Sequence, residues 1–296
     1  MLSLSVEYLS DCQRYGSRTI DEKTGALNRA LEKFGEDMPV DFISNLEWSK
    51  YFRERAEAIS ANAANKDRKN IHAMYEWGKV NMSVQDNPIA RTKNLPHDRQ
   101  PQYVPPEADV YKVIMACTRE EWIFLDTYLQ TGARKSEILR LAWEDVMFEQ
   151  GKIRLGTHKT SDGSLEYRYL DMSDELMNNL RWWWKNRPVK DTPLVFVNTD
   201  ERSNYYGQPY SARNRFMLGL CKRAGVKAFG FHAIRRYVAS ILALKGVPAK
   251  VIQGILGHHS VSTTERYIYN IMSDGKVYMD MLQTSKGEDE KEKGEK

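Results

Sequence analysis

Apolar residues recur at helical spacing through roughly the first ninety positions. Leu27, Leu31 and Phe34 follow Thr19-Ile20-Asp21-Glu22, a pattern that reads as a capping box opening a helix. Ser44-Asn45-Leu46-Glu47 forms a second such box ahead of Tyr51, Phe52 and Ala56. A further helix is predicted from about Ser60 to Val80, offering Ile71, Met74, Tyr75 and Trp77 to a core. With the opening stretch around Val6, Tyr8, Leu9 and Cys12 this makes four helices on short connections, which pack most simply as a bundle. Residues 87–106 then break the pattern with Pro88, Pro96, Pro101, Pro105 and Pro106 among polar residues, and read as a linker. Beyond it the pattern is helical through Gln130 and again over Ser136–Leu141. Lys152–His158 and Leu165–Asp171 flank Ser161-Asp162-Gly163-Ser164, where Asp-Gly signals a hairpin. Helices follow at about 174–186, 211–224, 232–245, 248–256 and 263–270. The expected fold is mostly α with a small β element. Its divisions are a helical domain over 1–86, a linker over 87–106, a second domain over 107–283 and a charged, disordered tail over 284–296.

Composition narrows the picture modestly. The chain has 296 residues, and no apolar run approaches the roughly 18 residues of a membrane helix. The N-terminus has an early Glu7 and no basic leader. Cys12, Cys117 and Cys221 show no metal-binding spacing and cannot all pair, so a reducing cytoplasm is the expected compartment. The net charge is only +4, from 44 basic and 40 acidic residues. Its distribution is uneven. Residues 1–103 balance, whereas 104–283 carry 25 basic against 20 acidic residues. That surplus permits a nucleic-acid partner without identifying one.

Four short segments carry candidate chemistry. Arg134, in Thr131-Gly132-Ala133-Arg134-Lys135-Ser136-Glu137, sits in a turn before a helix. There a cation opposes the helix dipole but suits an anion site. Lys159 lies on the tip side of the hairpin. His232 and Arg235 are three apart and share a helix face. Leu256-Gly257-His258 reads as a helix stop, and Ser262 with Glu265 caps a new helix in which Tyr267 falls nine residues after His258. Each alone is as well read as surface or packing.

In this order the segments resemble the tyrosine recombinase (phage integrase) family, over essentially the whole chain. The resemblance implies an N-terminal helical core-binding, SAM-like bundle and a C-terminal mixed α/β catalytic domain. It implies a catalytic set of Arg134, Lys159, His232, Arg235, His258 and the nucleophile Tyr267, supported by Glu137. Relatives commonly carry His where this chain has Arg236, which is expected to add a phosphate contact. His259 and Tyr269 stand close to the motif but out of its spacing. Lys66, Arg68 and Lys69 are expected to meet DNA, with Arg18, Arg213 and Arg215 as weaker candidates. The implied partner is a double-stranded recombination site, bound by four protomers that associate weakly or not at all when free, with host or phage DNA-bending factors as candidate accessories. Val277, Tyr278, Met281 and Leu282 would pack either on a neighbouring subunit or on their own domain. No metal and no cofactor is implied, and the sequence has no Walker A loop and no Cys/His ligand spacing. Because Met1 lies almost at the start of the first bundle helix, the arm-binding domain of many integrases is expected to be missing. Two other readings compete with a site-specific recombinase: a non-catalytic DNA-binding relative with an architectural or regulatory role, and a DNA-relaxing enzyme with the same covalent chemistry.

Overall fold

The computed structural model describes residues 1–97, 102–158, 164–258, 260 and 264–265. The chain divides into two compact units, Met1–Gln100 and Pro101–Lys296. In the first unit α1 (Leu2–Asp11), α2 (Ser17–Phe34), α3 (Asn45–Ala58) and α4 (Ala61–Asn81) enclose one core. Leu27, Trp48, Ile71, Met74 and Tyr75 are completely buried there. Burying each such apolar side chain is worth about 1.5–3 kcal/mol. The Ser44–Glu47 box forms both of its bonds and opens α3. Ser60 caps α4 through the Ala63 N–H. The box expected at Thr19–Glu22 does not form. The helix starts three residues earlier, at Ser17 after Gly16, the Gly16 carbonyl accepts from the Thr19 and Ile20 N–H groups, and Glu22 pairs with Arg18 instead. Asp67, 4% exposed, is held between Arg29 at 2.6 Å and Arg55 at 3.0 Å.

The linker expectation needs correction over 87–97. Asn87 is buried and donates to the His72 carbonyl and to Glu76, Pro88–Arg91 makes a 3-10 turn, and Ile89 is fully buried in the first core. Asn65 holds both backbone groups of Leu95. A proline-rich stretch can be ordered, because proline removes a backbone donor and fixes φ without removing the side chains that pack.

The second unit runs α5 (Glu107–Met115), α6 (Arg119–Thr131), α7 (Lys135–Leu139), β1 (Val146–Met147), β2 (Lys152–His158), β3 (Leu165–Asp171), α8 (Asp174–Asn186), α9 (Asn214–Ala224), α10 (Phe231–Leu244) and α11 (Ala249–Leu256). The expected hairpin is present, with β2 and β3 paired from Lys152↔Asp171 to His158↔Leu165. Two residues of β1 add a third antiparallel strand that periodicity did not announce. Phe124, Tyr128, Ile138, Ile153, Leu155, Leu180, Met217 and Ile234 lie in the main core. A smaller cluster of Val238, Ala239, Ile252 and Leu256 joins α10 to α11. No described helix is long and apolar enough to cross a membrane.

Candidate active site

Two left-handed glycines place the site. Gly132 ends α6 with φ +55°, and a Cβ there would stand 2.5 Å from the Leu256 side chain. Gly257 ends α11 with φ +65°. Only a glycine takes such a conformation without cost and allows so close an approach. Arg134 follows the first turn as the residue capping α7, and Glu137, in the first turn of α7, accepts the Arg134 backbone N–H at 2.8 Å. His258 follows the second glycine.

Three guanidiniums converge on these helix ends. Arg235, on α10 and 3% exposed, donates Nη1 to the Gly132 carbonyl at 2.7 Å. Arg134 donates Nη2 to the Gly257 carbonyl at 2.7 Å and Nη1 to Glu137 Oε1 at 2.9 Å. Arg168, on β3, donates Nε to the Ile255 carbonyl at 3.0 Å and Nη2 to Glu137 Oε2 at 2.7 Å. The C-terminal ends of α6 and α11 carry partial negative charge, so they are suitable beds for buried cations. The single carboxylate among these groups, Glu137, also accepts the Thr157 hydroxyl at 2.5 Å. Burial opposes its ionisation, but the hydrogen bond and charge of Arg168, with Thr157 and the Arg134 backbone, hold it down at about 2. Three cations facing one anion leave a positive surplus suited to an added anion.

Both histidines of the site are pushed below the ordinary imidazole range. His258 is buried, its Nδ1 lies 2.8 Å from the Thr264 hydroxyl, and burial together with Arg235, Arg134 and Arg168 lowers it to about 3. His232, exposed, lies in the first turn of α10, three residues before the buried Arg235. Desolvation and then the charges of Arg235, Arg236, Lys135 and Arg134 lower it as well. The four described members of the expected set, Arg134, His232, Arg235 and His258, and the supporting Glu137 therefore share one locality. Lys159 and Tyr267 lie outside the described residues, as do His259 and Tyr269.

Several expected DNA contacts are placed differently. Arg236 donates to the Tyr103 carbonyl at 3.0 and 3.1 Å and to Gln102 at 2.8 Å, so its guanidinium holds the chain entering this unit. Arg68 donates to Thr92, Ile89 and Asn94 and secures the 87–97 segment. Arg213 is packed against the rings of Phe124, Tyr210 and Phe216 at 4.3–4.5 Å. Lys66, Lys69 and Arg215 are exposed. Arg168 and Thr157 join the site from outside the four sequence motifs. Their signal was available: Thr157 is in phase with buried Ile153 and Leu155, and Arg168 with Leu170. A charged residue at an inward strand position needs a buried partner. Among the described residues no group of three His, Cys, Asp or Glu could hold a metal.

Residues 107–273 match the sequence profile of the phage integrase family. Tyrosine recombinase XerA of Pyrococcus furiosus is 28% identical over 137 residues, covering 46% of this chain and 46% of that protein. XerA of Saccharolobus solfataricus is 25% identical over 169 residues, covering 57% and 52%. A tyrosine recombinase of Thermosipho africanus is 23% identical over 287 residues, covering 91% and 94%. The match thus spans about half the length of the two XerA proteins and nearly all of the third. Among solved structures, the Tn1549 transposon integrase in complex with a circular intermediate DNA superposes with a TM-score of 0.72 at 18% identity, over 95% of this chain and 98% of that one. XerH site-specific recombinase bound to a palindromic difH substrate gives 0.73 at 16%, over 95% and 85%. At these identities the structures share the fold.

Proposed function

The chain belongs to the tyrosine recombinase (phage integrase) family, and from that premise we propose that it is a site-specific DNA recombinase working through a 3′-phosphotyrosyl intermediate. The observation that carries the reading is the convergence of Arg134 and Arg235 on the α6 and α11 ends beside His258 and His232, with positive charge in excess. Attack on a phosphodiester gathers negative charge on the non-bridging oxygens of five-coordinate phosphorus. Guanidiniums preorganised on helix-end carbonyls meet that charge without rearranging.

In the proposed step the Tyr267 oxygen forms a bond to phosphorus while the bond to the 5′ oxygen breaks. An unperturbed tyrosine titrates near 10, so at neutral pH its proton needs an acceptor. His232, whose proton affinity is lowered by desolvation and then by its cationic neighbours, is assigned that role. His258 is assigned a hydrogen bond to the phosphate. Lys159 is assigned the proton for the departing 5′ oxygen, leaving a free 5′ hydroxyl. The phosphotyrosyl bond conserves the energy of the cleaved one, so a 5′ hydroxyl from a partner strand can reverse the step and rejoin the DNA. Four protomers on paired sites would exchange strands through a Holliday junction, and Lys66 and Lys69 would add phosphate contacts from the first unit.

The test is a duplex nicked beside the scissile phosphate, so that the released 5′ fragment diffuses away. The wild-type chain should accumulate an SDS-resistant protein–DNA adduct, and Tyr267→Phe should form none. An adduct that survives in Tyr267→Phe removes the assigned nucleophile. Specific binding with no adduct on any nicked or supercoiled site favours an architectural DNA-binding role. Relaxation of plasmids that lack a target site favours a DNA-relaxing enzyme.

A further inference from the structure

Arg168 belongs to none of the motifs, and the proposed chemistry gives it no step. It stands opposite Leu155 in the β2–β3 ladder, on the inward face of the hairpin, and its side chain is 14% exposed. From there one planar guanidinium reaches three elements. It meets Glu137 on α7 at 2.7 Å, the Ile255 carbonyl in the last turn of α11 at 3.0 Å, and the Thr157 hydroxyl on β2 at 3.4 Å. A lysine carries a single point of charge and lacks the rigid fork of donors that reaches these three acceptors.

The consequence lies in what those acceptors hold. The Glu137 carboxylate sits between the Arg168 and Arg134 guanidiniums, one oxygen to each, and the Oε2 facing Arg168 also accepts the Arg134 backbone N–H. Both guanidiniums also grip carbonyls at the end of α11, Arg168 at Ile255 and Arg134 at Gly257. His258 is the next residue along the chain. Gly257 makes this approach feasible, because a Cβ there would lie 2.8 Å from Arg168 Nη1 and 3.0 Å from its Cζ. That glycine therefore does more than end a helix: it clears the space in which the guanidinium lies against the backbone.

We propose that Arg168 is a positioning residue, which clamps Glu137 and the end of α11 together so that the Arg134 guanidinium and the His258 imidazole keep one fixed relation. The proposal rests on the phosphate-binding role assigned to Arg134 and His258 above. An ion pair serving only stability would leave that relation unchanged when removed, provided the fold survives.

The experiment compares full-length wild type with Arg168→Met, Arg168→Lys and Thr157→Val. Amide hydrogen exchange at Gly257 and His258 reads the clamp without DNA. Arg168→Met should speed exchange at these two amides by about tenfold or more while the α6 and α10 amides keep their protection. On a nicked duplex that wild type cleaves, its single-turnover rate at saturating DNA should fall by about 100-fold, the scale for a group displaced by roughly an ångström. DNA affinity should stay within about twofold of wild type, because the lost interaction acts on the reacting phosphate in the transition state. Arg168→Lys should recover part of the rate. Thr157→Val, which deletes one hydroxyl and keeps every charge, should move exchange and rate in the same direction by less, and it serves if Arg168→Met fails to fold. Unchanged exchange at Gly257 and His258 in both Arg168→Met and Thr157→Val overturns the proposal. So does a uniform loss of protection accompanied by an equal loss of DNA affinity. If wild type cleaves no duplex, the recombinase reading falls while the exchange data still decide the clamp.

Discussion

Replacing Glu137 with glutamine keeps the shape of the side chain and removes the one carboxylate between Arg134 and Arg168. Glu137 is 3% exposed, so solvent does little to screen the loss. Its folded-state value of about 2, against an ordinary 4.5, corresponds to about 3 kcal/mol of preferential stabilisation of the charged form. The sign follows from the depressed value. The contribution is complete above the unfolded-state value, and it is lost as pH falls from about 5 toward 2 and below. At about pH 3 the unfolded chain is protonated at this group while the folded one is still largely ionised, and roughly half of the contribution remains. Glutamine has no such titration. Urea unfolding of wild type and Glu137→Gln should therefore differ by about 3 kcal/mol at pH 7, with the gap closing by about half at pH 3. Taking the difference between the two proteins cancels every other carboxylate that titrates over the same range. A gap that is equal at both pH values would mean that the carboxylate contributes only as a neutral packing group and that its charge is not stabilised by the two arginines.

Gly132→Ala forces a left-handed backbone on an L residue, at about 1–2 kcal/mol, and drives a methyl into Leu256, at about 1–3 kcal/mol more. Urea unfolding should register at least about 2 kcal/mol, and an unchanged midpoint would remove the close approach of α6 to α11. The His258 imidazole should stay neutral on acidification until about pH 3, followed by its ring carbon shifts in NMR. Because its folded value lies below the ordinary 6.5, it should withdraw stability as pH falls from that value toward about 3, and a ring titrating near 6 would contradict the buried cationic setting. In the first unit Asp67→Asn leaves Arg29 and Arg55 facing an uncharged amide. Loss of one partner of a buried ion pair costs about 3 kcal/mol. Hydrogen exchange of the α2, α3 and α4 amides should accelerate accordingly, and wild-type protection would show that the pair is structurally idle.

Much of the fold is local and was legible in the chain. The Ser44–Glu47 box, Ser60 before α4 and the close pairing of β2 with β3 act between near neighbours, so their consequences follow from the local sequence. Where a local signal failed, a competing local contact won: Glu22 pairs with Arg18 rather than capping at Thr19. The prolines of 87–97 concealed packing because they mark a backbone without helix or strand, and Ile89 and Leu95 pack there all the same. The short strand β1 has too few residues to show a period.

The sequence by itself determined the order and spacing of Arg134, Glu137, His232, Arg235, His258 and Tyr267, and with them the family resemblance. What each guanidinium holds is set by folding alone. Arg235 meets Gly132 across 103 residues, Arg134 meets Gly257 across 123, and Arg168 meets Ile255 across 87. Arg68 and Arg236 look in sequence like free phosphate ligands, yet they secure segments of their own units. The physical reason is the same in each case. An arginine carries its donors at the end of a long side chain and accepts any suitably placed carbonyl or carboxylate, so its partner is chosen by the folded geometry and leaves no trace in the residues beside it.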